Sequence, residues 1–315
     1  MFEPTRAIAA LSSLIMVVSA VSACGGDESM ETDASEAAAP ETAVMASGPI
    51  TVAGVGFATP ESVLHDTVDD VYLVSNINGN PLDKDGNGFI SRLSPDGEVL
   101  DLKWIDGEAE GVELSAPKGM AIQGDQLYVT DVDCIRVFDR ATGAPQGGVC
   151  VDGASFLNDL TPHPEAGLIF TDMGRDAAFE PTGTDAVYHL LGDAYAPIVA
   201  DAGLGGPNGV TMRDDELIVV SYFSGEVYSV SADGAELWFP ALEGAQLDGV
   251  EALDDGRLLV SDWGSNCVLV VDAEGRGPCI VENVEAPADI GIDRTRNQVL
   301  IPLFMADEVW IRPIG

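Results

Sequence analysis

Positive charge is scarce in this chain. Its 315 residues carry 14 Lys and Arg against 53 Asp and Glu, a formal charge of −39. Such a surface repels a phosphate backbone, which excludes nucleic acid as a partner. Histidine is scarcer still, with only His65, His163 and His189. No C-x-x-C pair suggests zinc or a thiol redox motif, and no G-x-S-x-G segment seats a serine nucleophile. Nothing reads as a long amphipathic helix. What the chain does have is apolar content, 46% of residues, ample for a packed core.

The first residues read as a processing signal rather than as part of a fold. Arg6 precedes the apolar run "AIAALSSLIMVVSA", too short for a comfortable membrane span. The run leads into Val21, Ser22, Ala23 and Cys24, which resembles a bacterial lipobox. That resemblance implies a signal peptide over residues 1–23 and a diacylglyceryl group on the Cys24 thiol. Residues 24–48 contain no Lys or Arg and few large apolar groups, so they are expected to form a disordered acidic tether. Fully extended, the tether reaches about 80 Å. The expected location is the bacterial cell envelope, on the periplasmic face or the cell surface. Membrane contact is expected only through the lipid, and the protein is expected to be monomeric. Export also places Cys134, Cys150, Cys267 and Cys279 in a compartment that permits disulfides.

From residue 49 onward one unit recurs. The phrases "PESV" (60), "PKGM" (117), "LNDL" (157), "PNGV" (207), "LDGV" (247) and "PADI" (287) each precede an apolar strand. Those strands are "DVYLVS", "QLYVTD", "GLIFTD", "ELIVVS", "RLLVSD" and "QVLIPL", and a third strand follows each. Turns such as "SPDG", "RATG", "SADG" and "DAEG" then suit a hairpin. Six short antiparallel units of this kind predict an all-β, six-bladed β-propeller over residues 49–315. The sixth unit stops after three strands, and "PITVAGVGF" (49–57) is available to complete it and close the ring.

One segment invites a different reading. "DKDGNGFISRLS" (83–94) begins like an EF-hand calcium loop, with Asp83, Asp85, Asn87 and then Gly88. The last loop position wants a bidentate Glu and has Ser94. The segment lies between two strands of the first unit, so it is expected to be a long hairpin loop, with an incidental surface calcium site left open, and not a calcium sensor.

In a propeller the innermost strands line a central channel, so equivalent positions converge. The second residues of the six phrases are Glu61, Lys118, Asn158, Asn208, Asp248 and Ala288. Glu61, Asn158, Asn208 and Asp248 offer hard oxygen donors from four blades, the donor set calcium takes. Two carboxylates balance one divalent ion, and the lack of Cys or His in the column disfavours zinc or copper.

The segments "PESV", "FLNDLTPHPEAGLIFTD", "PNGV" and "LDGVEALDDGRLLVSDWG" resemble the senescence marker protein/gluconolactonase family and its paraoxonase relatives, over roughly residues 58 to 313. The resemblance implies a divalent metal, usually calcium, held by Glu61, Asn158, Asn208 and Asp248, and hydrolysis of lactones or related esters. Two positions depart from the paraoxonase pattern: Lys118 stands where a catalytic His is expected, and Gly249 where a neighbouring Asn ligand is expected. On the hydrolase reading the cation polarises a carbonyl and water attacks, with Asp248 as base. Asp159 would orient the water or buffer charge, and Lys118 would donate to the developing oxyanion unless it simply pairs with Glu61 or Asp248. A non-catalytic binding or scaffold propeller with a structural central ion remains a second reading. A metal-free strictosidine-synthase-like propeller is a third, disfavoured by the four oxygen donors.

The cysteines then pair by turn chemistry. Positions 134 and 150 are equidistant from 142, within "RATG", and 267 and 279 from 273, within "DAEG". Opposed residues of a hairpin share that property, so the expected bridges are Cys134–Cys150 and Cys267–Cys279.

Overall fold

The computed structural model describes residues 48–164, 167–239, 241, 243–272 and 275–315. The signal peptide, Cys24 and nearly all of the tether lie outside the described residues. The rest forms six antiparallel sheets of four strands each. Among the described residues the only helical segment is a three-residue 3₁₀ turn, Ala202–Leu204.

The first strands of the blades are Pro60–Asp66, Pro117–Gln123, Leu157–His163, Pro207–Arg213, Leu247–Ala252 and Gly291–Asp293. They touch one another in succession from blade one to blade five, and blade one touches blade six. The recurring phrases therefore begin the inner strands themselves rather than preceding them. Blade six differs, because Ala288 falls just ahead of its strand.

Radial stacking explains the weak alternation of the strand sequences. Val71–Asn76 and Gln298–Leu303, both second strands, are buried at every position. Each face of such a strand meets a neighbouring blade, so both faces must be apolar. Outer strands are wetter, as in Pro145–Cys150, where five residues of six are exposed. The core is accordingly divided between the blades. Leu73 and Ile90 of blade one pack with Leu127 and Val129 of blade two, and five further clusters bridge the other adjacent pairs.

Ring closure follows the expected route, with a shorter strand. Ile50–Val52 pairs antiparallel with the last strand, Ile50 opposite Ile311 and Val52 opposite Val309. Arg312 adds a clasp, donating to the Ile50 carbonyl and, at 2.9 Å, to Thr51 Oγ1.

Loop 77–88 joins the second and third strands of blade one, with no helix on either side. Asp85 accepts hydrogen bonds from the backbone and side-chain amides of Asn87 at 3.3 and 2.7 Å, while Lys84 pairs with Asp133 at 2.6 Å. Asp85 thus braces the turn, and Lys84 ties the loop to blade two.

Both expected disulfides form. Cys134 and Cys150 are direct cross-strand partners with Cα atoms 3.9 Å apart. The blade-five pair closes diagonally instead, since the backbone partner of Cys279 is Leu269 and that of Cys267 is Glu282. Register shifts in that hairpin displace the opposition that equal spacing from the turn implies. Converting Cys134 and Cys150 together to Ala should lower stability by about 2 kcal/mol, or roughly 4–6 °C in Tm. An unchanged thermal midpoint would refute that assignment of stability.

Candidate metal centre

The column predicted from the repeat converges. Glu61, Lys118, Asn158, Asn208 and Asp248 line one cavity of about 470 Å³ at one end of the channel. All five side chains are almost fully buried. Glu61 Oε2, Asn158 Oδ1, Asn208 Oδ1 and Asp248 Oδ1 have no hydrogen-bond partner among the described residues. Among the described residues only one other buried carboxylate or carboxamide oxygen, Asn87 Oδ1, shares that condition. A buried polar oxygen without a partner costs free energy, and a native structure rarely gathers several in one place without a ligand for them. Two carboxylates and two carboxamides facing one cavity form a hard-oxygen set that fits a calcium-like cation.

Electrostatics point the same way. Burial, then the charge of Asp248, pushes the Glu61 carboxyl well above its ordinary range. Burial and the Asp289 charge do the same for Asp248. A divalent cation would reverse both shifts by favouring the ionised forms. Lys118 makes no ion pair with Glu61 or Asp248; its Nζ donates to the Ala116 carbonyl at 3.0 Å and lies 4.8 Å from the Phe156 ring centroid. Burial lowers its pKa to about 8.

The backbone beneath the column is pinned by hydroxyls that the sequence reading passed over. Thr130 of blade two donates to the Asn158 carbonyl of blade three. Thr171 of blade three donates to the Asn208 carbonyl of blade four at 2.6 Å, and Ser261 to the Ala288 carbonyl at 2.8 Å. Blades two and three thus each fix the candidate ligand of the next blade, and blade five fixes the equivalent position of blade six. The signal was present in the sequence, as a Ser or Thr before the last residue of "LYVTD", "LIFTD" and "LLVSD".

Asp159 departs from its expected role. Successive side chains of a strand point to opposite sides, so the residue after Asn158 faces away from the Asn158 cavity. Its carboxylate accepts from the Leu160 and Val210 amides at 2.6 and 2.7 Å. It lines a second cavity of about 400 Å³ at the other end of the channel, shared with Ser62, Glu251 and Asp289. Gly119 is required beside it, because a Cβ there would lie 2.5 Å from Asp159 Oδ1 and 2.6 Å from its Cα. None of the three histidines lines the cavity of the oxygen column. His65 sits by the second cavity, 3.1 Å from Asp70, and His163 and His189 lie together at a surface groove.

Asp289 accepts the Ser62 hydroxyl at 2.5 Å, yet burial pushes it up to about 7. Burial raises Glu251 too, but that side chain keeps 26% exposure, so Asp289 carries the pH argument. A folded pKa above the unfolded value means that the native state holds more protons between the two. In chelator, stability should therefore fall as pH rises from about 4 towards 7, by up to roughly 4 kcal/mol. Asp289→Asn should make the decline shallower in a thermal-melt series, the remainder coming from Glu61, Asp159 and Asp248, which burial also raises; an unaltered slope would reject this assignment.

The fold and the oxygen-lined channel define a class: a six-bladed β-propeller with a cation-competent centre. No protein-family model matches the chain, and no curated protein does either. Solved structures do resemble it. A gluconolactonase from Xanthomonas campestris superposes with a TM-score of 0.60 at 19% identity, covering 85% of this chain and 89% of that one. Regucalcin from Agrobacterium tumefaciens, described as a calcium-binding protein, gives 0.61 at 17%, covering 82% and 90%. Virginiamycin B lyase from Staphylococcus aureus gives 0.59 at 13%, covering 85% and 99%. At these identities the likeness is one of fold.

Proposed function

We propose that this chain is a divalent-cation-dependent hydrolase of lactones or related esters, with calcium as the resident ion. The observation that carries the proposal is the convergence of Glu61, Asn158, Asn208 and Asp248, whose inward oxygens have no other partner among the described residues. The gluconolactonase and regucalcin neighbours support it, since they bring that chemistry to the same fold.

A bound cation would supply Lewis-acid polarisation of the carbonyl and activation of water. The chain's own groups do the rest. Glu61, Asn158, Asn208 and Asp248 would hold the ion, each from a different inner strand. Asp248, ionised beside the cation, would take the proton from the attacking water. Lys118, free of any carboxylate partner within salt-bridge distance among the described residues, donates to the oxygen on which charge develops. Phe156, against which that ammonium rests, keeps water from its other side. The domain works at the cell envelope, held there by a lipid on Cys24, which mass spectrometry of membrane-extracted protein would detect as an acylated N-terminus.

A panel of lactones and esters assayed with calcium, then with EDTA, tests the reading. Turnover should vanish on chelation and return with calcium, while far-UV circular dichroism stays constant. Turnover that survives EDTA refutes the metal role. Absence of turnover on every substrate, with calcium only raising Tm, would instead establish a structural ion in a scaffold.

A further inference from the structure

A second ring of equivalent residues lies beside the oxygen ring. The residues that directly follow the second strands of blades one to six are Ile77, Val132, Met173, Tyr222, Trp263 and Phe304. All six are apolar or aromatic, although loop positions in a chain with 53 acidic residues are where carboxylates would be expected. Five of them line the same cavity as the oxygen ring, and the sixth, Val132, packs in a buried cluster with Ile77. The aromatic members form a continuous wall. Tyr222 meets Trp263 edge-on at 5.6 Å between centroids, and Trp263 meets Phe304 at 5.3 Å.

The same connections carry apolar side chains out to the mouth. Phe179 is 46% exposed, Phe223 43% and Met305 65%, and all three line this cavity. Exposed large apolar groups gathered around one opening mark a binding surface rather than a surface accident. Beyond the ring that holds the four oxygens and Lys118, the cavity offers few polar groups: the Gln246 amide, the Tyr222 hydroxyl and the Trp263 indole N–H.

We propose that the substrate carries a bulky, uncharged apolar or aromatic group next to its scissile carbonyl, and that a polyhydroxylated sugar lactone is a poor substrate. This rests on the hydrolase reading and narrows it away from the sugar lactone that the gluconolactonase neighbour's name implies. Sugar hydroxyls brought against Ile77, Met173, Phe304 and the aromatic faces would lose water without gaining hydrogen bonds, which is costly. An alkyl or phenyl group gains from the same walls, and each buried methylene is worth roughly 10-fold or more in kcat/KM. The net charge of −39 works against a carboxylated or phosphorylated substrate as well.

The test uses the calcium-loaded protein, glucono-δ-lactone, a phenyl-substituted δ-lactone, and the matching phenyl-substituted δ-lactam as a slowly hydrolysed binding probe. The phenyl lactone should exceed the sugar lactone in kcat/KM by at least about 100-fold. The lactam should quench the intrinsic fluorescence of Trp263, identified by loss of that signal in Trp263→Phe. Phe223→Ser combined with Phe179→Ser should weaken lactam binding by roughly 10-fold, and Phe223→Leu with Phe179→Leu should largely restore it. Both positions are half-exposed, so the fold should tolerate the changes. Equal or preferred use of the sugar lactone overturns the inference and leaves the hydrolase reading intact. Lactam binding that depends on Phe223 and Phe179, without turnover of any lactone, removes the hydrolase reading and keeps the apolar site. A lactam that fails to bind sinks the apolar site itself.

Discussion

Replacing Asp248 with Asn is expected to lower calcium-dependent hydrolysis by at least about 1,000-fold while leaving a folded β-rich protein. The change keeps the shape of the side chain and removes both its negative charge and its capacity to take a proton. Glu61 then carries the only negative charge among the four oxygen donors. Calcium affinity should drop with activity, since hard cations are held mainly by carboxylate charge. The sign reverses for the protein in chelator. Asp248 is buried with its pKa raised, so the folded state holds its proton up to a higher pH than the unfolded chain does. Above the ordinary carboxylate range that shift destabilises the fold, and Asn removes it. The variant should therefore melt higher than the parent in EDTA at neutral pH, and gain less from added calcium. Calcium titrations followed by Tm, with kcat measured in parallel, check both halves. Full activity in Asp248→Asn would remove the centre as assigned. A lower Tm in EDTA would mean that the carboxylate is satisfied by something other than a cation.

Much of this centre was legible because a propeller converts sequence period into spatial convergence. Once six phrases are aligned, Glu61, Asn158, Asn208 and Asp248 fall in one column, and the fold brings a column together at the axis. Asp159 was misassigned because adjacency in sequence was taken for adjacency in space. One step along a strand turns a side chain to the opposite side, and here it lands in the other cavity. The blade-five disulfide forms between the expected cysteines, but bulges in a ladder are set by twist and packing that equal spacing from a turn does not encode. The hydroxyls of Thr130 and Thr171 look like ordinary strand residues, since Thr is common in strands. Their bonds to Asn158 and Asn208 exist only across the gap between blades, where no local pattern reports them. The apolar ring from Ile77 to Phe304 was hidden for a similar reason: its members sit in connections of different length, where hydrophobic periodicity breaks off.

Asp172→Ala should be among the most destabilising single substitutions in this protein, lowering stability by about 3–5 kcal/mol and Tm by roughly 6–15 °C. Asp172 ends the second strand of blade three and is completely buried. It makes no ion pair within salt-bridge distance among the described residues, and its carboxylate accepts three backbone amides. Phe156 N and Gly174 N reach Oδ1 at 2.9 and 3.0 Å, and Ser155 N reaches Oδ2 at 3.2 Å. It therefore staples the segment that enters the inner strand to the one that leaves the second strand. Asp131 and Asp262 do the same in blades two and five, accepting from Ala116 N at 2.7 Å and Gln246 N at 2.8 Å. Alanine would leave the amides of Phe156 and Gly174 buried without an acceptor, each at a cost of about 1–3 kcal/mol. Burial raises the Asp172 pKa, so loss of the carboxylate returns part of that cost and keeps the total below the simple sum. Asp172→Asn retains an oxygen at the position of Oδ1 and should recover most of the stability. The effect should reach function as well. Phe156 supports Lys118, and Met173 and Phe179 follow Asp172 in the loop that walls the cavity. At temperatures where Asp172→Ala is still folded, KM for an apolar lactone should rise more than kcat falls, because the wall loosens while the four oxygen donors stay on their strands. A variant that melts within about a degree of the parent, or that loses kcat with KM unchanged, would contradict the staple and its link to the cavity wall.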